Sequence, residues 1–284
     1  MEHTVAGAGG TRIHVEEQGV GLPVLLVPGL GYAAWSWRPQ ATAVAQVARA
    51  LSVDNRGTGR SDKPVGPYTM ETMADDLACV LDDAGGGPAL VVGASMGGYL
   101  AMTLARRRPD LVAGLVLVST SVGGPRSTGA PESTLDVWRA HAGEPPEDYA
   151  RATMPLSFAP GWTEEHPDRF EALLGARLEH PTPPESWKAQ FDACEAFLAG
   201  GLPETAAGRE GAPLDVPTHV VHGTADRVVP YANAEVVVER FPGAELVTMN
   251  GCGHLCWLER PHVVNRLLVQ AAASLSGERG QRVR

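Results

Sequence analysis

The sequence predicts an α/β fold in which a doubly wound, mostly parallel sheet is flanked by helices. Short apolar runs such as "PVLLV" (23–27) and "ALVVG" (89–93) recur along the chain, and helical patterns separate them. These runs are continuously apolar, which indicates strands that are buried on both faces. An alternation of buried strands and helices is typical of a parallel sheet covered on both sides. A long segment without a strand pattern, residues 122–213, interrupts the alternation.

The elements follow in order along the chain. The first predicted strand alternates apolar and polar residues, and the later ones are mostly apolar. The helix over 69–84 opens with Thr69 and has Met73 and Leu77 on one face. The predicted strands are 12–18, 23–29, 50–57, 89–95, 114–121, 218–223 and 244–249, and the predicted helices are 69–84, 96–107, 231–240 and 261–275.

The segment 122–213 predicts a helical lid over the carboxyl edge of the sheet. It is rich in Pro, Gly, Glu and Trp, and three of its stretches have helical patterns. An insertion of this length is too long for a plain loop. We therefore expect an α/β core made of residues 1–121 and 214–276 and a lid over 122–213. The polar residues 277–284 predict a flexible tail.

Composition narrows the class of function. The formal net charge of the 284-residue chain is −10, which argues against a nucleic-acid partner because such proteins carry a clustered basic face. No apolar run reaches the roughly 18 residues of a membrane-spanning helix. The first residues lack the basic and apolar regions of a signal peptide, so we expect a cytoplasmic protein. The chain carries no signal for an oligomeric state.

Ser95 is the first candidate catalytic residue. It stands in "GASMG" (93–97), which matches G-x-S-x-G between a strand pattern and a helix pattern. A nucleophile at a tight strand-to-helix turn needs small residues two positions away on either side, where side chains would collide. The free N–H groups of the helix that follows suit a developing oxyanion. The alternative is a tight turn in which the serine only caps the helix.

Five blocks of sequence resemble the α/β-hydrolase superfamily, in its branch of lidded esterases, lactonases, cofactor-free perhydrolases and carbon–carbon bond hydrolases. The resemblance covers nearly the whole chain and implies an α/β-hydrolase fold. It says less about the substrate, because the lid matches none of these groups in particular. The blocks are "LLVPGLGYAAWSW", "VDNRGTGRSDKP", "VVGASMGGYLA", "VVHGTADRVVP" and "GCGHLCWLERP".

The order of the triad in this fold, serine then acid then histidine, assigns the two remaining residues. Asp226 follows a late strand and is expected to fix and stabilise the imidazole, although a turn-capping role is the alternative. Asp215 lies before that strand, at the wrong end of the sheet. His254 follows the last strand and is the expected base. Of the other eight histidines, His222 is expected to be structural.

The oxyanion hole is expected to use two backbone N–H groups. Met96 directly follows the serine and supplies the first. By resemblance, Leu30 supplies the second. The family often has His-Gly just before this position, whereas this chain has Pro28 and Gly29. The loop must then be stiffened in another way, for example by packing of tryptophans 35 and 37, which we interpret chiefly as core residues.

The stretch "CGHLC" places His254 between Cys252 and Cys256, which raises the question of a metal site or a redox pair. A zinc site needs further ligands at tetrahedral spacing, and the remaining cysteines are remote in sequence. We therefore expect no metal, and two cysteines that serve as small, semi-buried packing groups. No cofactor is expected either. The Gly-rich stretch 54–62 lacks the pattern of a phosphate-binding loop, so Arg56 and Asp62 are expected to be structural.

The function that the sequence favours is hydrolysis of a carboxylic ester or lactone through an acyl-enzyme. The same site would also suit thioester hydrolysis, perhydrolysis or carbon–carbon hydrolysis, although carbon–carbon hydrolases usually carry an aromatic residue where this chain has Leu255. A non-catalytic small-molecule receptor is the alternative from another class. Aromatic residues of the lid suggest a small-molecule, apolar acyl substrate, although they could equally pack the lid on the sheet. They are Trp138, Phe158, Trp162, Trp187 and Phe191.

Overall fold

A single mixed sheet of eight strands forms the centre of the computed structural model, which describes residues 1–202 and 215–282. The strand order is β1-β2-β4-β3-β5-β6-β7-β8. The pairs β1–β2 and β2–β4 are antiparallel and all the others are parallel. The strands are β1 (Glu2–Ala6), β2 (Arg12–Gly19), β3 (Pro23–Val27), β4 (Arg49–Val53), β5 (Ala89–Ala94), β6 (Val112–Val118), β7 (Thr218–Gly223) and β8 (Glu245–Met249).

Helices cover both faces of this sheet, and the described residues between β6 and β7 contain a group of five helices. Helices α2, α3 and α9 pack on one face, and α1 and α11 pack on the other. The helices are α1 (Arg38–Val44), α2 (Met70–Asp83), α3 (Met96–Arg107), α4 (Glu132–Ala140), α5 (Pro146–Thr153), α6 (Trp162–Glu165), α7 (Pro167–Glu179), α8 (Pro184–Gly200), α9 (Ala232–Arg240), α10 (Cys256–Glu259) and α11 (Pro261–Arg282).

The predicted fold class is confirmed, and local chemistry explains its elements. All six residues of β5 are buried, as expected of a central strand that is covered on both faces. The side chain of Thr69 accepts a hydrogen bond from the backbone of Thr72 and so caps the first turn of α2. The short edge strand β1 was not predicted from the sequence. The sequence of β2 alternates apolar and polar residues, which fits a strand next to the edge of the sheet.

The helices α4–α8, together with the loops that join them, are called the cap below. The described part of the predicted lid segment, residues 122–202, contains these five helices, of which α5 was not predicted from the sequence. The remaining lid residues, 203–213, lie outside the described part, and the division into core and lid stays a prediction. Helix α11 reaches Arg282, beyond the end predicted at residue 275. The flexibility of the tail stays a prediction, and residues 283 and 284 are not described. None of the described helices is long and apolar enough to cross a bilayer.

Candidate active site

Ser95 lies at the sharp turn between β5 and α3. Its backbone has a φ of 54° and a ψ of −121°, which a non-glycine residue adopts only under strain. Two hydrogen bonds hold this conformation: the Ser95 N–H donates to the carbonyl of Val118 (2.9 Å), and the Thr120 hydroxyl donates to the Ser95 carbonyl (2.8 Å). The strained turn at the carboxyl end of the sheet is the position that the sequence predicted for a nucleophile.

The glycines around Ser95 are required by close backbone contacts. A Cβ atom on Gly93 would collide with the carbonyl of Gly97, and a Cβ on Gly97 would collide with the carbonyl of Val27 at the end of β3. The turn is therefore pressed against the neighbouring strand, and no side chain fits at either position. Gly29, in the loop after β3, also lies near the serine, but with less crowding: a Cβ built there would be 3.2 Å from the Ser95 Cβ.

The structure brings Asp226 and His254 together from the loops after β7 and β8. The His254 Nδ1 lies 2.8 Å from the Asp226 Oδ2, and the aspartate side chain is fully buried. The other carboxylate oxygen accepts hydrogen bonds from the backbone N–H groups of Val228 (2.8 Å) and Val229 (2.9 Å). These bonds fix the carboxylate, so that it can hold the imidazole in one orientation. Ser95 and His254 line the same cavity.

A second imidazole contacts the same carboxylate. The Nε2 of His222, a buried residue of β7, lies 3.3 Å from the Asp226 Oδ2 and 2.8 Å from the carbonyl oxygen of Val229. Burial alone would raise the pKa of Asp226, but His254 and His222 outweigh it and lower that pKa to about 2. The carboxylate is therefore ionised at neutral pH. The expectation that His222 serves the structure fits this contact with the aspartate.

A buried glutamate anchors the loop that carries His254. One oxygen of Glu259 accepts hydrogen bonds from the Gly253 N–H (2.8 Å), next to the histidine, and from the Ala159 N–H (3.0 Å) in the cap. Leu255 donates its N–H to the carbonyl of Ser157, also in the cap (2.8 Å). Burial raises the pKa of Glu259. The sequence analysis missed this residue.

The oxyanion loop, residues 28–32, is held by side chains from both the core and the cap. Asn55 Nδ2 donates to the Pro28 carbonyl (3.0 Å), and the Gly31 N–H donates to Gln190 Oε1 of α8 (3.0 Å). Thr182 Oγ1 donates to the Gly31 carbonyl (3.2 Å). These contacts stiffen a loop that lacks the histidine common in the family. Leu30, the predicted donor, lies between the two anchored ends.

Aromatic contacts join the segment after the oxyanion loop both to the loop that carries His254 and to the oxyanion loop itself. Trp37 is fully buried and stacks on Trp257, with ring centroids 5.1 Å apart. The indole N–H of Trp257 donates to the Ser36 carbonyl (2.9 Å). Trp35 is also buried, and its ring centroid lies 5.5 Å from that of Tyr32 in the oxyanion loop. The interpretation of Trp35 and Trp37 as core residues is confirmed.

Cys252 and Cys256 are both fully buried beside His254, so the expectation that they are only semi-buried is wrong. The thiol of Cys256 contacts the hydroxyl of Ser119, with a distance of 3.6 Å between the sulfur and the oxygen. Burial raises the pKa of both thiols, to about 11 for Cys252, which disfavours the thiolate form that a metal would require. All four cysteines are free, and the described residues include no group of three metal-ligating side chains placed to hold an ion.

The Gly-rich stretch 54–62 supports the core through two ion pairs. Arg56 forms a buried, two-pronged pair with Asp76 of α2, at 2.6 and 2.7 Å. Asp62 pairs with Arg12 of β2 at 2.8 Å, where it is partly exposed. Both contacts support the structural roles expected from the sequence. Asp54, in the same stretch, accepts a hydrogen bond from the backbone of Ala34 (2.7 Å), just after the oxyanion loop.

Three neighbouring cavities adjoin the cap in the described part of the chain, and they share some of their lining residues. The inner cavity (about 80 Å³) is lined by Ser95 and His254, and the large cavity (about 750 Å³) also begins at Ser95. The outer cavity (about 390 Å³) lies within the cap. Trp138 and Trp187 line all three cavities. These two tryptophans therefore stand where the cavities meet.

The five cap aromatics that the sequence singled out divide into two groups. Trp138, Trp187 and Phe191 line cavities, as expected of pocket residues. Phe158 and Trp162 are buried and stack on each other, with ring centroids 4.2 Å apart, and they belong to the same apolar cluster as strand residues of the sheet. This second group fits the alternative expectation that the aromatics pack the lid on the sheet, whereas a role of the first group in binding substrate stays a prediction.

The inner cavity also contains polar groups that the sequence analysis missed. The guanidinium of Arg177, from α7, lies 5.0 Å from the centroid of the Tyr32 ring, and both residues line this cavity. The hydroxyl of Tyr32 is buried and has no hydrogen-bond partner among the described residues. The residues that line the inner cavity thus include an arginine and a tyrosine beside Ser95 and His254.

Comparison with known proteins decides the family. The profile of the alpha/beta hydrolase fold matches residues 23–261 of this chain. The chain belongs to the α/β-hydrolase family. The resemblance that the five sequence blocks carried is thereby confirmed, and the protein is an enzyme of the α/β-hydrolase type.

Three relatives illustrate the range of this family. The chain is 31% identical, over 93% of its length and 96% of the relative, to a putative carbamate hydrolase of Azorhizobium caulinodans. It is similar to the solved structure of an esterase from Thermogutta terrifontis (TM-score 0.76, 28% identity, covering 97% of this chain and 99% of the other). It is also similar to Est816, an N-acyl homoserine lactone degrading enzyme (TM-score 0.76, 30% identity, covering 94% and 98%).

Proposed function

We propose that this α/β hydrolase cleaves carboxylic esters or lactones, with Ser95, Asp226 and His254 as its catalytic triad. The observation that carries the proposal is the meeting of a strained serine and a histidine, bonded to a buried carboxylate, in one cavity. The names of the esterase and the lactone-degrading enzyme among its structural relatives support the same class of reaction.

The proposed reaction proceeds in two halves. His254 takes the proton of the Ser95 hydroxyl as its oxygen attacks the substrate carbonyl, and the N–H groups of Leu30 and Met96 stabilise the oxyanion. The tetrahedral intermediate expels the alcohol, which receives the proton from His254, and an acyl-enzyme remains. A water molecule, deprotonated by His254, then attacks the acyl-enzyme and releases the acid. Asp226 stabilises the imidazolium in both halves.

The two cavities at Ser95 suggest how the substrate divides between them. His254 must reach the oxygen of the leaving group in order to protonate it, and His254 lines the inner cavity. We therefore place the small leaving group in the inner cavity, beside Arg177 and Tyr32, and the acyl group in the large cavity. The large cavity has apolar walls that include Leu135, Phe191 and Leu198. The cap thus acts as the lid and selects an apolar acyl group.

Covalent labelling tests the nucleophile. A fluorophosphonate probe should modify Ser95 in the folded protein, with loss of fluoride, and peptide mass spectrometry should locate the adduct. Ser95→Ala should abolish the labelling and lower kcat by several orders of magnitude, on the scale of 10⁵–10⁶-fold. If the folded protein is not labelled, or if Ser95→Ala retains full turnover, the proposed function is wrong.

A substrate panel tests how the cavities are used. It comprises methyl esters from acetyl to octanoyl, octanoyl esters of increasingly bulky alcohols, lactones, a thioester and a carbamate, with turnover followed by pH-stat and mass spectrometry. Activity should be retained as the acyl group lengthens and should fall as the alcohol becomes bulkier. The opposite pattern would reverse the assignment of the two cavities, whereas exclusive thioester or carbamate turnover would replace the ester class.

A further inference from the structure

We infer that Gln190 of the cap is a positioning residue that holds the oxyanion loop in its working conformation. The inference rests on the proposed function, because it concerns the N–H group of Leu30 in that reaction. It adds a residue of helix α8, 95 positions beyond Ser95 in the chain, to the machinery that stabilises the oxyanion.

The side chain of Gln190 bridges two backbone segments of the core. Its Oε1 accepts the Gly31 N–H (3.0 Å), and its Nε2 donates to the carbonyl of Arg56 (2.8 Å). The residue is completely buried. Since one partner is a donor and the other an acceptor, only one orientation of the amide satisfies both. Arg56 is itself fixed by its buried pair with Asp76, so the amide stands on a rigid support.

The bridge restrains Leu30 from one side while the core restrains it from the other. Asn55 anchors the Pro28 carbonyl, and Gln190 anchors the Gly31 N–H. Leu30 lies between these anchors. Trp187, one turn before Gln190 on the same face of α8, packs its ring on the same loop, so that a Cβ on Gly31 would be 3.0 Å from the ring.

Displacement of an oxyanion donor lowers kcat but leaves the binding of the substrate almost unchanged. The oxyanion exists only in the tetrahedral state, so a donor that moves away destabilises that state and leaves the bound ester nearly unaffected. If Gln190 is removed, the Gly31 N–H also loses its buried partner, and the loop must shift to find another. The arrangement therefore links the cap to the chemistry as well as to the substrate pocket.

The test compares three variants with the wild-type enzyme. Gln190→Met keeps the length of the side chain and removes both hydrogen bonds, and Thr182→Val removes only the bond to the Gly31 carbonyl. Glu185→Met, an exposed substitution on the same helix, is the matched control. The measurements are kcat, KM and the affinity for phenylboronic acid, which forms a tetrahedral adduct with a catalytic serine.

Gln190→Met should lower kcat by about 10- to 100-fold, less than the 10²–10³-fold loss of a whole oxyanion donor. KM should change by less than about threefold, and the affinity for the boronic acid should fall in parallel with kcat. Thr182→Val should show a smaller loss of the same kind, and Glu185→Met should show none. If Gln190→Met fails to fold, Gln190→Glu provides the test, because it keeps an acceptor for the Gly31 N–H and loses the donor to the Arg56 carbonyl. This variant should also lower kcat and the boronic acid affinity in parallel.

Two outcomes would overturn the inference. One is that substitution of Gln190 leaves both kcat and the affinity for the boronic acid unchanged. The other is a rise in KM alone, which would mean that Gln190 only shapes the pocket. Fluorophosphonate labelling of wild-type Ser95 separates these outcomes from failure of the proposed function. If the wild-type enzyme is labelled and the Gln190 variants keep the wild-type kcat, the inference about Gln190 fails while the proposed function stands.

Discussion

The sheet core and the cap are stabilised by different means. In the core, the strands are buried on both faces, and the pair of Arg56 with Asp76 leaves only 7% and 3% of these side chains exposed. In the cap, the pair of Arg151 with Glu171 leaves about half of each side chain exposed. In helix α2 of the core, the Thr69 side chain accepts a hydrogen bond from the backbone of the first turn. Helices α5, α7 and α8 of the cap begin with proline, and the side chain of the residue before each of them makes no such bond.

This difference indicates a division of labour. Burial fixes the turns that carry Ser95, Asp226 and His254, so their geometry is insensitive to the surface. The cap is held by buried apolar side chains such as Phe158 and Phe170 and by a few buried hydrogen bonds to the core, whereas the ion pairs on its outside are exposed and contribute little free energy. Substitutions in the core should therefore change stability or chemistry strongly, whereas those on the outside of the cap should have small effects.

The largest effect expected in the core is on turnover. Asp226→Asn should lower kcat by about 10⁴-fold, because an amide cannot stabilise the imidazolium or hold the same tautomer of His254. Ester hydrolysis by the purified variant measures this loss, and circular dichroism checks the fold. Asp215→Asn, an exposed substitution just before the same strand, is the control and should retain full activity. Equal activity of the two variants would remove Asp226 from the triad.

A pair of matched variants should separate core from cap in stability. Arg56→Met leaves the buried carboxylate of Asp76 without its partner, which should reduce the free energy of unfolding by about 3–5 kcal/mol. Arg151→Met breaks two ion pairs on the cap surface, and its effect should be too small to resolve. Urea denaturation measures both. Equal losses would mean that the cap pairs stabilise the enzyme as much as the buried pair does.

The smallest expected effect is a decrease in the free energy of unfolding at acid pH, caused by the lowered pKa of Asp226. The pKa of Asp226 is lowered to about 2 in the folded protein, below the value of roughly 3.9 in an unfolded chain. The folded state therefore binds fewer protons, and this stabilisation, complete above about pH 4, is lost as the pH falls towards 2. Glu259, whose pKa is raised, contributes in the opposite sense.

Urea denaturation at stepped pH values between 5 and 2 measures this dependence. The wild-type enzyme should lose stability over this window more steeply than Asp226→Asn. Glu259→Gln provides the comparison and should keep the steep loss that Asp226 causes. Identical slopes for the wild-type enzyme and Asp226→Asn would show that the carboxylate is not held in its ionised form.

The parts of the site that could be predicted from sequence depend on short-range patterns. The turn at Ser95 is specified by glycines two residues on either side, and these spacings are visible in the sequence. Asp226 and His254 follow consecutive strands of a parallel sheet, whose carboxyl ends lie side by side, so strand order alone brings them near each other.

The residues that were missed act across long distances in the chain. Gln190 resembles any other polar residue of an amphipathic helix, and its partner Gly31 is far away in sequence. Glu259 lies close to His254, but its role depends on a cap loop that docks against it. The split among the cap aromatics likewise follows from how the helices pack. Such contacts depend on the tertiary arrangement, which no local spacing encodes.

The bond between Gln190 and Gly31 limits how freely this cap can be exchanged during evolution or engineering. A cap grafted from another hydrolase would carry its own pocket walls, but the Gly31 N–H would still need an acceptor and the Arg56 carbonyl a donor. A transplant that aligns only the ends of β6 and β7 would thus import a new specificity and forfeit rate. An exchange of the cap therefore has to preserve the side-chain amide of Gln190 as well as the two connections to β6 and β7.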